Sequence, residues 1–305
     1  MPLHEFVFAR NTTFHDWIWA GGYSQCHLSG SILRTAKQII AGVDAPVTFV
    51  VPSTDGLVNS PVPPLSMWIA SDLEAADKAP HTVVGILCTR GVQDPRLVLL
   101  PLDDESFDGG VVQTVSRRVA LPEWESRQPI AYWRGCMSGG YAPTPRTRLV
   151  SLLRGYPHTD IKMTQIHRSL MSPEFQGDLT DPYDTTVYDV ERGLEEHLKH
   201  KYIFIVDGNC IASAHQWVFA SGSVPIMITH PDNDWWFRKY LKPMFHYVPV
   251  NYDLSDLKGK IEWLVANDDK AKEIANNALE FARTVLSSEF QHGYLLKEIK
   301  RAAGV

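Results

Sequence analysis

Short apolar runs closed by turn residues alternate along this chain with longer stretches of helical spacing. The clearest run is Tyr202-Ile203-Phe204-Ile205-Val206, β-branched and aromatic, which stops at Asp207-Gly208-Asn209. Its length and the turn that ends it predict a buried strand delivering a loop. Ala212 to Ser221 is apolar on most sides and long enough for a helix, Gly222 is its stop, and Val224-Pro225-Ile226-Met227-Ile228 reads as a second strand. Strand, turn, helix, strand is a βαβ unit. In an open parallel sheet such a unit places its strand-to-helix loop at the carboxyl edge, beside backbone N–H groups that favour anions. A phosphate-bearing ligand is therefore expected at residues Asp207 to His215.

The same pattern organises the rest of the chain. Ser31 to Val43 has helical spacing with Ser31 as N-cap, and Pro46 to Val51 is a strand whose exit turn carries Asp55. Met67-Trp68-Ile69, Thr82 to Cys88 and Leu97 to Pro101 read as further strands of that sheet. The polar stretch Glu123 to Gln128 marks a boundary between domains at 1–128 and 129–288. Beyond it, Ile130 to Gly135 is a strand ending in an Arg-Gly turn, followed by Ser138-Gly139-Gly140 and a helix from Pro145 to Tyr156 with Arg146 and Arg148 in its first turn. Two arginines beside a glycine-rich loop suit a bidentate clamp on phosphate, or simply a solvated helix end. Val190 to His200, Asp253 to Asn267 and Asp268 to Ser288 are expected helices, and a last helix within 289–305 is expected to pack back on the first domain.

Composition narrows the chemistry. The 305 residues suit two α/β domains, and a net charge of −6 without a run of Lys or Arg argues against a nucleic-acid surface. Four widely spaced cysteines form no CxxC pair, so a reducing compartment is expected rather than a zinc site or a disulfide framework. Neither a basic leader followed by an apolar core nor a run of about 18 apolar residues occurs, so no membrane insertion and a cytoplasmic location are expected. Asp232-Asn233-Asp234 fits a DxD metal motif but also caps a following helix, the reading adopted here. HExxH, a P-loop, GxGxxG after a strand and GxSxG are all absent. Asp55 is a turn former by spacing alone, and a general base if it faces a bound nucleotide.

Several segments together resemble one known family: Tyr132-Trp133-Arg134-Gly135, Arg146-x-Arg148-Leu149, Lys201-Tyr202-x-Phe204-x-Val206-Asp207-Gly208-Asn209, Gly222-Ser223-Val224, and Leu241-Lys242-Pro243-Met244-Phe245-His246-Tyr247-Val248-Pro249-Val250 with Asp253-Leu254 behind it. The likeness is to glycosyltransferase family ninety, the group of Rumi-type protein O-glucosyltransferases and capsule xylosyltransferases. It implies an α/β fold of GT-B type, two Rossmann-like domains facing across a cleft. It also implies inverting transfer of xylose or glucose from a UDP-sugar to a glycan or glycoprotein hydroxyl, with no metal or other cofactor. By position, the resemblance makes Asp55 the general base and assigns donor binding to Arg134, Gly135, Arg148, Asp207, Gly208, Ser213 and His215. UDP-xylose is placed ahead of UDP-glucose. One departure stands out: Ala214 occupies the place of the family's loop arginine. The alternative reading is accordingly a catalytically silent glycan- or nucleotide-binding protein on the same fold.

Overall fold

The computed structural model describes residues 5–8, 30–42, 47–50, 56–58, 67–69, 82–101, 104–138, 144–165, 186–208 and 211–305. In chain order the first elements are β1 (Glu5–Phe8), α1 (Gly30–Ala41), β2 (Val47–Val50), β3 (Gly56–Val58), β4 (Met67–Ile69), β5 (Thr82–Ile86), β6 (Cys88–Arg90), β7 (Leu97–Leu99) and α2 (Asp104–Gly109). They are followed by α3 (Val111–Arg118), β8 (Gln128–Cys136), α4 (Pro145–Leu153), β9 (Thr159–Gln165), α5 (Leu194–His197), β10 (His200–Val206), α6 (His215–Phe219) and β11 (Val224–Ile228). The chain closes with β12 (Asn233–Trp235), β13 (Val248–Val250), α7 (Leu257–Ala266), α8 (Asp268–Thr284) and α9 (Ser288–Ala303). It divides into two compact units, Met1–Gly110 with Asp232–Arg238 and Ser287–Val305, and Val111–Pro231 with Lys239–Leu286. The division falls ahead of the polar Glu123 to Gln128 stretch, because α3 and the segment after it pack with the second unit.

The first unit contains two small sheets where the apolar pattern suggested one. β5 lies between β2 and β7, whereas β6 lies between β3 and β12, so the expected single strand Thr82 to Cys88 is broken at Leu87 and its halves serve different sheets. α9 is fixed to this unit by its own chemistry. Ser287 accepts a bond from the Phe290 N–H at 3.2 Å as N-cap, Gly304 takes φ 72° at the other end, and Leu295, Ile299 and Ala303 are buried at helical spacing. Tyr294 Oη donates to the Leu99 carbonyl at 2.8 Å, and Arg301 Nη2 donates to that of Leu97 at 2.7 Å.

The structure departs from three local expectations. The Ser31 hydroxyl lies one residue inside α1 and bonds the Asp108 carboxylate instead of capping the helix. Asp232-Asn233-Asp234 caps no helix: Asn233–Trp235 is a strand antiparallel to β6, with Asn233 Oδ1 accepting from Arg90 Nε at 2.7 Å. Cys88 is disulfide-bonded, against the expectation of four reduced thiols.

The second unit is built on a five-stranded, wholly parallel sheet in the order β13-β11-β10-β8-β9. Every residue of β10 and β11 is buried, as expected of continuous apolar strands covered on both faces. Arg127 fixes the amino ends of the strands: it donates to the Ser223 hydroxyl at 2.7 Å and to the Ser221 carbonyl at 2.9 Å, across a turn in which Gly222 has φ 71°. Burial pulls its pKa down to about 10. The helices on either side of β10 are shorter than their sequence spans. α6 covers only His215–Phe219 of the Ala212 to Ser221 stretch, and α5 only Leu194–His197 of Val190 to His200. Among the described residues no helix is long and apolar enough to cross a membrane.

Candidate functional site

From β8 the chain moves outward to β9, returns past β8 to β10, and then continues outward through β11 to β13. The order reverses between β8 and β10, and in doubly wound sheets ligands bind at the carboxyl ends of the strands flanking such a point. A cavity of about 580 Å³ lies there, lined by Gly135 and Cys136 at the end of β8, Thr164 and Gln165 at the end of β9, and Val206 at the end of β10. Its walls come from Thr114, Val115 and Arg118 of α3, from Glu191 to Leu194 and His197 around α5, and from Ala212, Ser213, Ala214 and Trp217.

Arg146 holds this floor together. From the first turn of α4 its guanidinium donates to the Cys136 carbonyl at 2.9 Å and to the Val206 carbonyl at 2.9 Å, with a longer contact to that of Asp207 at 3.2 Å. The ends of both strands at the switch point are thus tied by one cation. Desolvation lowers the arginine's pKa, yet a guanidinium remains charged at any physiological pH, so a fixed positive charge faces the cavity. The phosphate clamp expected from Arg146 and Arg148 does not form as a pair, because Arg148 turns instead to the Asp253 carbonyl and does not line the cavity.

Arg134 lines the cavity but is heavily engaged. It pairs with Asp160 at 2.8 Å and Asp189 at 2.9 Å, and its side chain is only 4% exposed. Burial opposes its charge, but the bonds to the two carboxylates prevail and raise its pKa. Asp189 is shared with Arg192 at 2.6 Å and is held far below the usual carboxylate range, by Arg192 first and then Arg134. Gly135 is needed sterically. A Cβ there would lie 2.5 Å from the Trp133 ring, which is buried and cannot swing away. Gly135→Ala is expected to cost about 1–3 kcal/mol of stability by overpacking, measured by urea unfolding; a midpoint equal to that of the unmodified protein would contradict this contact.

The loop after β10 is set from behind. Asp207, buried, accepts from the Thr229 hydroxyl at 2.6 Å and from the His230 N–H at 3.0 Å. His215, also buried, donates Nδ1–H to the Ala212 carbonyl at 2.9 Å and presents Nε2 to Asp207 at 3.9 Å. These two residues shape the loop and do not line the cavity, whereas Ser213 does. Gly208 lies so close to Ser138 that a Cβ would collide with its hydroxyl oxygen. The structure therefore brings Arg134, Gly135 and Ser213 to the cavity, with Gly208, Asp207 and His215 supporting the loop and Arg148 outside. Asp55 lies outside the described residues.

Among the lining residues that the sequence reading missed are Arg118, Arg192, His197 and Trp217. The His197 and Trp217 rings meet edge to face at 5.3 Å, and burial lowers the His197 pKa, keeping a neutral imidazole whose Nδ1–H donates to the Gly193 carbonyl at 3.0 Å. Nothing in spacing or composition separated these residues from ordinary surface positions.

Comparison with known proteins gives the site its context. Protein 179R of Invertebrate iridescent virus 6, uncharacterised, is 43% identical over 101 residues, 31% of this chain and 8% of its own length. Protein O-glucosyltransferase 1 of Rattus norvegicus is 30% identical over 168 residues, 54% of this chain and 39% of its own. Protein O-glucosyltransferase 2 of Danio rerio is 27% identical over 231 residues, 70% of this chain and 41% of its own. The chain thus spans less than half the length of these curated relatives. A family model matches residues 110–303, which include the whole parallel sheet and every residue lining the cavity, and by that match the chain belongs to glycosyl transferase family 90.

Proposed function

We propose that this chain is an inverting glycosyltransferase that moves a sugar from a UDP-sugar to a hydroxyl of a glycan or glycoprotein acceptor. The observation that carries this reading is the cavity at the switch point of the parallel sheet, edged by guanidinium groups and lying wholly within the family-matched residues. Its volume of about 580 Å³ suits a small-molecule ligand. Glucose is placed ahead of xylose as the transferred sugar, because the relatives with a printed activity are protein O-glucosyltransferases. The two α/β units are taken as the two Rossmann-like domains of a GT-B enzyme, with the base supplied by the first.

In the proposed step the acceptor oxygen attacks the anomeric carbon from the face opposite UDP. The bond between that carbon and the diphosphate oxygen breaks, its electron pair leaves with UDP, and the acceptor proton passes to the Asp55 carboxylate. A single displacement inverts the configuration. Arginine charge at the cavity answers the charge growing on the diphosphate, so turnover is expected without a divalent metal. Incubation with UDP-glucose and UDP-xylose in the presence of EDTA is expected to release UDP from one of them, faster when a monosaccharide acceptor is added. Release that depends wholly on added magnesium or manganese would overturn the metal-independent step.

A second reading, a silent glycan- or nucleotide-binding protein, is favoured by one observation. Arg134 and Arg146 are both committed to protein groups, and Ala214 brings no charge to the loop. UDP binding with no release from any donor, under every acceptor tried, would favour it.

A further inference from the structure

His197 ends α5 and borders the cavity, and only 9% of the residue is exposed. Its ring is held by three neighbours. Nδ1 meets the Gly193 carbonyl at 3.0 Å, the Trp217 ring stands edge to face at 5.3 Å, and the Tyr132 ring does so at 5.0 Å. A carbonyl oxygen can only accept, so Nδ1 carries the proton and the neutral ring keeps Nε2 as a bare acceptor. Burial favours that neutral form. Among the described residues Nε2 has no hydrogen-bond partner. An acceptor left unpaired where little water reaches is costly, and a bound group that donates to it recovers the cost. The chemistry of the acceptor selects the donor. A lone pair at Nε2 repels phosphate oxygens, so the ring has no use for a diphosphate. A hydroxyl both donates and accepts and can rotate toward water, so one fixed acceptor discriminates little for it. An imide N–H only donates and lies in the plane of a flat ring, which suits a wall that Leu194 and the Trp217 ring share with His197.

We infer that His197 reads the base of the donor nucleotide, its Nε2 accepting from the N3–H of uracil, and so selects uridine over cytidine nucleotides. This rests on reading the cavity as a nucleotide-sugar site. Cytosine carries a lone pair at N3 where uracil carries a hydrogen, so against a neutral imidazole one base is attracted and the other repelled. The Gly193 carbonyl fixes which ring nitrogen is protonated, and the Trp217 and Tyr132 rings pack against the imidazole, so the discriminating group is set before a ligand arrives.

The test is calorimetric titration of the full chain with UDP and with CDP, which share ribose and diphosphate and differ in the base. The unmodified protein is expected to bind UDP roughly 10- to 100-fold more tightly than CDP. His197→Asn keeps an amide N–H near the place of Nδ1 and puts nothing at Nε2. It is expected to weaken UDP roughly 10-fold or more and to leave CDP within about twofold, so that most of the preference is lost. His197→Gln, whose amide oxygen reaches the place of Nε2, is expected to restore much of it. Equal affinity of the unmodified protein for UDP and CDP would overturn the assignment without recourse to any variant. So would an undiminished preference in His197→Asn, or an equal loss of both nucleotides there, which would mark a purely structural role. If the unmodified protein binds neither nucleotide, the nucleotide-sugar reading falls together with the assignment, whereas UDP binding without base preference overturns the assignment alone.

Discussion

Arg146→Met is expected to lower the unfolding free energy by about 2–4 kcal/mol and, with it, the affinity for UDP. Methionine keeps most of the length and apolar contact of arginine but none of its donors. The carbonyls of Cys136 and Val206, each bonded at 2.9 Å, would lose their partner at the point where the strand order reverses. The cost arises mainly from leaving these acceptors unsatisfied in a partly buried place, since hydrogen bonds to charged groups contribute more than neutral ones. Arg146→Lys separates the two effects. It keeps the charge, yet a single ammonium cannot span acceptors on two strand ends as the fork does, so stability should recover less than donor affinity. Urea unfolding and UDP titration on the same samples decide the matter. A methionine variant as stable as the unmodified protein would show that the strand ends do not depend on this arginine.

The second large effect is kinetic. Asp55→Asn is expected to reduce sugar transfer by roughly 10²- to 10⁴-fold, the range over which a positioned general base acts, while leaving UDP affinity unchanged within about twofold. Asparagine preserves the size and turn-forming ability of the side chain, so a loss confined to turnover would assign the carboxylate to proton removal rather than to folding. Transfer should be followed by UDP release with acceptor present, alongside UDP titration. Full turnover in the variant would place the base elsewhere, and a parallel loss of UDP binding would point to a damaged fold.

Much of the second unit is legible in the amino-acid sequence. The run Tyr202 to Val206 and the run Val224 to Ile228 are β10 and β11, side by side and parallel, because apolar strands too short for helices must bury both faces. Gly222 marks a real turn, with φ 71°. The amphipathic C-terminal stretches became α7, α8 and α9 within a few residues of their expected ends. These features depend on side chains close in sequence, so periodicity and turn chemistry suffice to find them.

The candidate site is legible only in part. Arg134 and Gly135, still within strand β8 rather than in the expected turn, and the loop after β10 line one cavity. What each charged residue does there could not be read from spacing. Arg134 is spoken for by Asp189, which lies 55 residues away, and Arg146 by carbonyls of two different strands. Arg148, two positions on, faces the other way, to Asp253. Arg118 and Arg117 are indistinguishable as sequence, and only the packing of α3 turns one of them to the cavity.

By itself, the amino-acid sequence determined that this is an α/β chain, where most of its strands and long helices run, and which loop leaves the buried strand β10, since propensity, periodicity and glycine stops act over a few residues. The tertiary structure alone decided that Asn233–Trp235 leaves the second unit to pair with β6, that the Thr82 to Cys88 strand divides between two sheets, and which guanidinium groups stay turned to the cavity. Those outcomes depend on hydrogen bonds and ion pairs between residues remote in sequence, which exist only once the sheets have assembled.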